Sequence, residues 1–128
     1  MHDVIGAAIE VHRVIGPGLF ESLCHECFAH ELALRGISFA SQVPVPVSYK
    51  GIDVKCGYRA DLVIEGKLVV EIKSVEHVLP VHRAQALTYM RMLDIEDGLL
   101  INFNVPLLKQ GIHKLMLKRW PDARHVDA

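Results

Sequence analysis

The sequence predicts an α/β fold, a central mixed β-sheet with helices packed on it. Three observations predict it. Two helical patterns open the chain, over residues 3–15 and 19–35. Short segments rich in Val, Ile and Leu, separated by turn residues, follow between residues 43 and 73. A third helical pattern, over residues 80–93, divides those strands from two more, giving the order α, α, β, β, β, α, β, β.

Each element has a local reason. Val4, Ala8, Val11 and Ile15 share one helical face, so residues 3–15 read as an amphipathic helix that Gly16-Pro17-Gly18 ends. Leu19 to Arg35 reads as a second helix that buries Leu23, Cys27, Ala33 and Leu34 and stops at Gly36. Val43 to Tyr49 alternates, and its two prolines make it an edge strand. Lys50-Gly51 turns the chain, and residues 54–64 and 67–73 form a hairpin. Pro80 suits the first turn of the third helix, which runs to Leu93. Gly98 to Phe103 is a buried strand, Ile112 to Lys118 is the last strand, and Trp120-Pro121 closes the fold ahead of a loose tail.

At 128 residues the chain is expected to be one domain spanning residues 1–128, and its 51% hydrophobic residues supply a core. The apolar runs are too short and too interrupted by charge for a transmembrane helix, and Met1-His2-Asp3-Val4 lacks the basic start of a signal peptide. Three cysteines, an odd number, argue against a disulfide framework and fit a reducing cytoplasm. The balance of 14 basic against 15 acidic residues lacks the basic excess of many nucleic-acid binders. A local basic patch would still suffice, and a bound metal would offset acids at a site.

The chemistry concentrates on Asp61 and on Glu71-Ile72-Lys73. Two acids and a lysine on neighbouring, largely apolar strands are costly to bury without a role. Register tests whether they meet, because side chains alternate faces along a strand. A strict two-residue loop at Glu65-Gly66 would set Asp61 against Val70 and turn Glu71 away. A three-residue loop, Glu65-Gly66-Lys67, sets Ile64 opposite Leu68 and Asp61 opposite Glu71. A shared site therefore requires an odd loop or a bulge. On the third helix, His82, Gln85 and Tyr89 lie at i, i+3 and i+7 and form a polar stripe able to line a cleft.

An acid on one strand followed by acid-x-Lys on the next resembles the PD-(D/E)XK nuclease superfamily, with Ala60 where the motif's Pro usually stands. Gln85-Ala86-Leu87-Thr88-Tyr89 resembles the Gln-x-x-x-Tyr element of its RecB-type exonucleases. Over about residues 3–118 the chain more closely resembles a small bacterial group named for a GxxExxY motif. That motif reads here Gly18-Leu19-Phe20-Glu21-Ser22-Leu23-Cys24, with Cys24 in place of Tyr. The flanking segments Gly6 to His12, Gln42 to Val45 and Leu100 to Phe103 match in style.

The resemblance implies a restriction-endonuclease-like core (αβββαβ) with an extra N-terminal helix. It also implies Mg²⁺ or Mn²⁺ held by Asp61, Glu71, the Ile72 carbonyl and Glu21. Lys73 would contact the scissile phosphate or steady the attacking water, Gln85 and Tyr89 would orient a metal-bound water, Glu71 or a substrate phosphate, and His82 would contact phosphate. The expected function is metal-dependent hydrolysis of DNA phosphodiester bonds, with a homodimer a way to gain grip. The alternative is a non-catalytic module of the same fold that binds a protein partner or itself. Each residue also has a plainer reading: Glu71 paired with Lys73 or Arg59, Lys73 solvating a strand end, Glu21 favoured by a helix dipole, Gln85 and Tyr89 at a helix–sheet boundary, and His82 on the surface. Cys24 and Cys27, with Cys56 distant, read as structural thiols rather than as part of a metal cluster, which generally needs four cysteines.

Overall fold

The computed structural model describes residues 1–55 and 57–118. Cys56 and the expected closure at Trp120-Pro121 with its tail lie outside the described residues.

Two helices open the chain, α1 (His2–Ile15) and α2 (Glu21–Leu34). Val4, Ala7, Ala8 and Val11 are buried, the i, i+3, i+4, i+7 stripe of an amphipathic helix. Gly16 ends α1 at φ 68°, a left-handed value that glycine adopts without steric cost. On α2 the buried residues are Cys24, Phe28 and Leu32, not the expected set. Leu34 is 68% exposed and Leu23 40%, and Ala33 is exposed while Cys27 is half-buried. The helix is rotated because Phe28, the bulkiest side chain on it, takes the core position.

The five-stranded sheet has the order β1-β4-β5-β6-β7, with β1 (Phe39–Pro44), β4 (Arg59–Ile64), β5 (Leu68–Lys73), β6 (Asp97–Asn102) and β7 (Ile112–Met116). Only β5 and β6 run parallel, joined through α3 (Pro80–Leu93), and the other pairs are antiparallel. The expected mixed α/β architecture is therefore present.

The single edge strand expected over Val43 to Tyr49 is two strands. Its first part ends β1, and β2 (Val47–Tyr49) leaves the sheet to pair with β3 (Ile52–Val54). Pro46, lacking an N–H, stands at the break, while Val45 N–H still bonds Tyr58 O at 2.9 Å. Lys50 and Gly51, both at positive φ, make the two-residue turn between β2 and β3. The hairpin expected over 54–64 and 67–73 is correspondingly shorter at its first strand. The last strand stops at Met116 and is introduced by a 3₁₀ turn, Leu108–Gly111.

The sheet is buried on both faces. Leu62, Ile64, Val70, Ile72, Leu99 and Ile101 pack with α1 and α2. Val63, Val69, Leu100 and Leu115 pack with Ala86, Tyr89 and Met90 of α3. Alternation along each strand places these residues, and each fully buried side chain of this size contributes about 1.5–3 kcal/mol. Gly98 lets α3 sit close, because a Cβ there would lie 2.5 Å from Met90 Sδ. Among the described residues no helix is long and apolar enough to cross a membrane.

Candidate active site

The loop between β4 and β5 has three residues. Ile64 faces Leu68, Val63 faces Val69 and Leu62 faces Val70. Glu65 and Gly66 take positive φ, and Lys67 N–H closes the turn on Ile64 O at 2.9 Å. This is the register in which Asp61 and Glu71 come together. The backbone ladder stops at Leu62 and Val70, and the next bonds come from the acids. Asp61 N–H donates to Glu71 Oε2 at 2.7 Å, and Ile72 N–H donates to Asp61 Oδ2 at 2.7 Å. Each carboxylate thus satisfies an amide of the opposite strand, which fixes both side chains.

Glu71 is 4% exposed and Asp61 half-buried. Burial, followed by the charge of Asp61, pushes the Glu71 carboxyl up to about 8, against the pull of the Asp61 amide and Lys73. Neither acid forms a salt bridge among the described residues, so the reading that pairs Glu71 with Lys73 or Arg59 at contact distance fails.

Lys73, half-buried at the end of β5, acts at longer range and lowers both Glu71 and Glu21. Glu21, the first residue of α2, is raised by partial desolvation, opposed by Lys73 and reinforced by Asp61. The loop before it is tied to this end of the sheet. Ser74 Oγ donates to Leu19 O, and Gly18 N–H donates to Asn104 Oδ1 at 3.0 Å. Gly18 takes φ 86°, so glycine serves the backbone there.

From the other face, α3 brings Tyr89 beside the acids. Its phenol is raised by burial and then by Glu71, so it keeps its proton and remains a donor. Gln85, one turn earlier on α3, weakly opposes that rise. The polar stripe lines a cleft of about 330 Å³ with Tyr58 and Val81. His82 has a structural duty as well: its Nδ1 accepts the Leu79 N–H at 3.0 Å and caps α3, leaving Nε2 as the atom able to donate.

The sequence reading missed Tyr58, whose ring lies 6.0 Å from that of Tyr89. It also missed Asn102, 3% exposed. Asn102 Oδ1 accepts from Val75 N–H and Asn104 N–H at 3.1 Å each, and Nδ2 donates to Val75 O at 2.9 Å. It thereby clamps the segment that follows Lys73. An amide between Ile101 and Phe103 in an apolar strand was the available signal. Cys24 is buried in the core and Cys27 half-buried, both as free thiols. Among the described residues no group of three or more His, Cys, Asp or Glu side chains is arranged to hold a metal ion.

No curated protein matches the chain. A family model does, that of the PD-(D/E)XK nuclease superfamily, over residues 1–115. That range contains Asp61, Glu71, Lys73, Gln85 and Tyr89. The chain belongs to the PD-(D/E)XK nuclease superfamily.

Proposed function

We propose that the protein is a metal-dependent nuclease that hydrolyses DNA phosphodiester bonds. The observation that carries this reading is the cross-bonded pair Asp61 and Glu71, two carboxylates held together where the β4–β5 ladder gives way. In the superfamily to which the chain belongs, an acid followed by acid-x-Lys is a nuclease motif.

The donor set fits Mg²⁺ or Mn²⁺. Each acid uses one oxygen on a backbone amide, and its second oxygen has no protein hydrogen bond among the described residues. Burial, and then the charge of Asp61, raise the Glu71 carboxyl, and a cation between the acids would compete with its proton. Mg²⁺ is commonly bound by one or two carboxylates and completes its shell with water and substrate phosphate. Asp61, Glu71 and the Ile72 carbonyl would hold it, with Glu21 at the rim. Bound there, the ion would polarise the phosphodiester and lower the pKa of a water.

The chain's own groups have separate duties. Lys73 offers an ammonium group to the charge that grows on the phosphate as water adds to phosphorus and the bond to the leaving sugar oxygen breaks. Gln85 and the protonated Tyr89 orient that water or a phosphate oxygen. His82 donates from Nε2 to the strand beyond the scissile position. Gly18 and Glu21, placed by the α1–α2 loop, support membership of the GxxExxY group. The free thiols of Cys24 and Cys27 support a cytoplasmic setting.

Purified protein with Mg²⁺ or Mn²⁺, tested on plasmid, linear and single-stranded DNA, decides the matter. Cleavage that disappears in Asp61→Ala is the expected result, and no cleavage above that control would end the enzyme reading.

The second reading, a non-catalytic module, is favoured by a different face. Val11, Val14, Ile15, Leu23 and Cys27 line a groove of about 440 Å³ between α1 and α2, together with Glu10, Glu26, His30 and Glu31. A protein partner or a second copy would be its occupant. Such a module should show no thermal shift with Mg²⁺ or Mn²⁺, whereas a competent site is stabilised by mass action.

A further inference from the structure

Phosphate chemistry accounts for the acids, Lys73, Gln85 and Tyr89, but not for the apolar side chains around them. Phe20 is 85% exposed, although it stands between two residues tied to the site. Leu19 before it is bonded by Ser74, next to Lys73, and Glu21 after it senses Lys73 and Asp61. Its backbone is fixed, because Phe20 O accepts the N–H groups of Leu23 and Cys24 at 3.1 Å and opens α2. On the other side Tyr58, 51% exposed, leads into β4 and leans on Tyr89 with ring planes at 46°. That contact leaves much of the Tyr58 ring open to the cleft it shares with Gln85 and His82.

The two aromatics sit on segments tied to the site, Phe20 directly before Glu21 and Tyr58 three residues before Asp61. Phe20 begins the helix on one face of the sheet, and Tyr58 packs against the helix on the other. A ligand that places a phosphodiester at Asp61 and Glu71 has its sugars and bases on either side of that phosphate. The flat apolar part of a nucleotide is the face of its base, and aromatic rings stack on it with little regard to sequence. In a duplex those faces are covered by neighbouring base pairs, whereas in an unpaired strand they are free.

We propose that Phe20 and Tyr58 are base-stacking platforms on the two sides of the scissile position, and that the site takes an unpaired DNA strand. This rests on the nuclease reading for the placement of the phosphate. It gives that site a substrate form and two specificity-determining residues.

The test separates binding from cleavage. In EDTA, the protein is titrated into a short single-stranded deoxyoligonucleotide carrying a purine analogue whose fluorescence is quenched by stacking, and into the matching blunt duplex. Wild-type protein should quench the single strand and bind it at least about tenfold more tightly than the duplex. Phe20→Leu and Tyr58→Leu, apolar but without a π-face, should each weaken single-strand binding about five- to 150-fold and leave duplex binding unchanged. Phe20→Trp should restore the quench. Thermal melting of each variant checks folding, and Phe20, being exposed, should tolerate every change.

Equal binding of single strand and duplex by wild type overturns the proposal. So does a Phe20→Leu protein that binds the single strand as wild type does, or a surface that takes up no oligonucleotide and is therefore a protein-docking face. With Mg²⁺ added, stacking without cleavage leaves these platforms standing and sinks the nuclease reading. Cleavage of single strand and duplex in the same ratio by wild type and both leucine variants sinks the platforms and leaves the nuclease.

Discussion

Asp61 and Glu71 brace each other's strand. The Asp61 amide is held by the Glu71 carboxylate, and the amide of Ile72, the residue after Glu71, is held by the Asp61 carboxylate, both at 2.7 Å. The same bonds that join β4 to β5 bring two acids into one half-buried space. Local structure gains two hydrogen bonds to backbone amides, and burial together with the like charge of Asp61 keeps a proton on Glu71 up to about 8. A cation arriving between the acids would take the place of that proton.

Asp61→Asn separates the two effects. The amide oxygen of Asn can still accept the Ile72 N–H, while the charge beside Glu71 is gone. The metal-free variant should be more stable than wild type at pH 9, by on the order of 1 kcal/mol, because Glu71 ionises more easily there. It should show no stabilisation by Mg²⁺ and no cleavage. Asp61→Ala, which also strips the buried Ile72 N–H of its acceptor, should instead lose about 1–3 kcal/mol. Urea unfolding of the three proteins, with and without Mg²⁺, reads both changes.

The Glu71 shift sets a pH dependence. Its carboxyl, ordinarily near 4.5, is held at about 8 in the fold. Between those values the folded protein binds a proton that the unfolded chain has released. Stability from this group is complete below the lower value and falls as pH rises to the upper one. The slope is at most about 1.4 kcal/mol per pH unit. Mg²⁺ competes with that proton, so its stabilising effect should grow over the same window. Glu71→Gln should flatten the profile. An unchanged slope in that variant would place the titrating group elsewhere.

The fold was legible where periodicity and turn chemistry agreed. The α1 stripe, the Pro80 start of α3 and the positive-φ residues of both hairpin turns were all local signals. So was the site's central requirement, since bringing Asp61 to Glu71 called for an odd loop or a bulge, and the three-residue loop Glu65-Gly66-Lys67 is present. The buried face of α2 was not legible, because Leu23 and Phe28 compete for the core and only tertiary packing decides between them. Nor was the departure of β2 and β3 from the sheet, which depends on pairing partners and not on composition. Asn102 and Tyr58 act through contacts made after folding, so no motif spacing announced them.

Lys73 balances the acids without touching them, so its removal should act through charge alone. Lys73→Met keeps the aliphatic stem and deletes the ammonium group. Its positive charge lowers Glu71 and Glu21. Without it the metal-free protein should melt at a lower temperature at pH 8, and Mg²⁺ should recover most of that loss by supplying positive charge between the carboxylates. Hydrolysis should stay absent, because an ion in its own place cannot also stand where the ammonium stood. Melting identical to wild type, with and without Mg²⁺, would put Lys73 outside the site.

Asn102 tests whether the clamp behind Lys73 matters. Its side chain completes three hydrogen bonds to the backbone of Val75 and Asn104, in a strand where Leu100 and Ile101 are wholly buried. The opposite side is equally confined, since a Cβ on Gly111 would lie 2.0 Å from Asn102 O. Asn102→Ala leaves these half-buried backbone groups without this partner, and stability should fall by about 1–3 kcal/mol. The segment from Ser74 to Val75 then loses its anchor, and with it the fixed position of Lys73 and the tie from Ser74 to Leu19. Cleavage should fall in kcat more than in KM, because positioning of the ammonium group is lost while the acids stay cross-braced. Assays run well below the melting temperature keep the two effects apart. An Asn102→Ala protein that is destabilised but turns over at the wild-type rate would confine this residue to holding the fold.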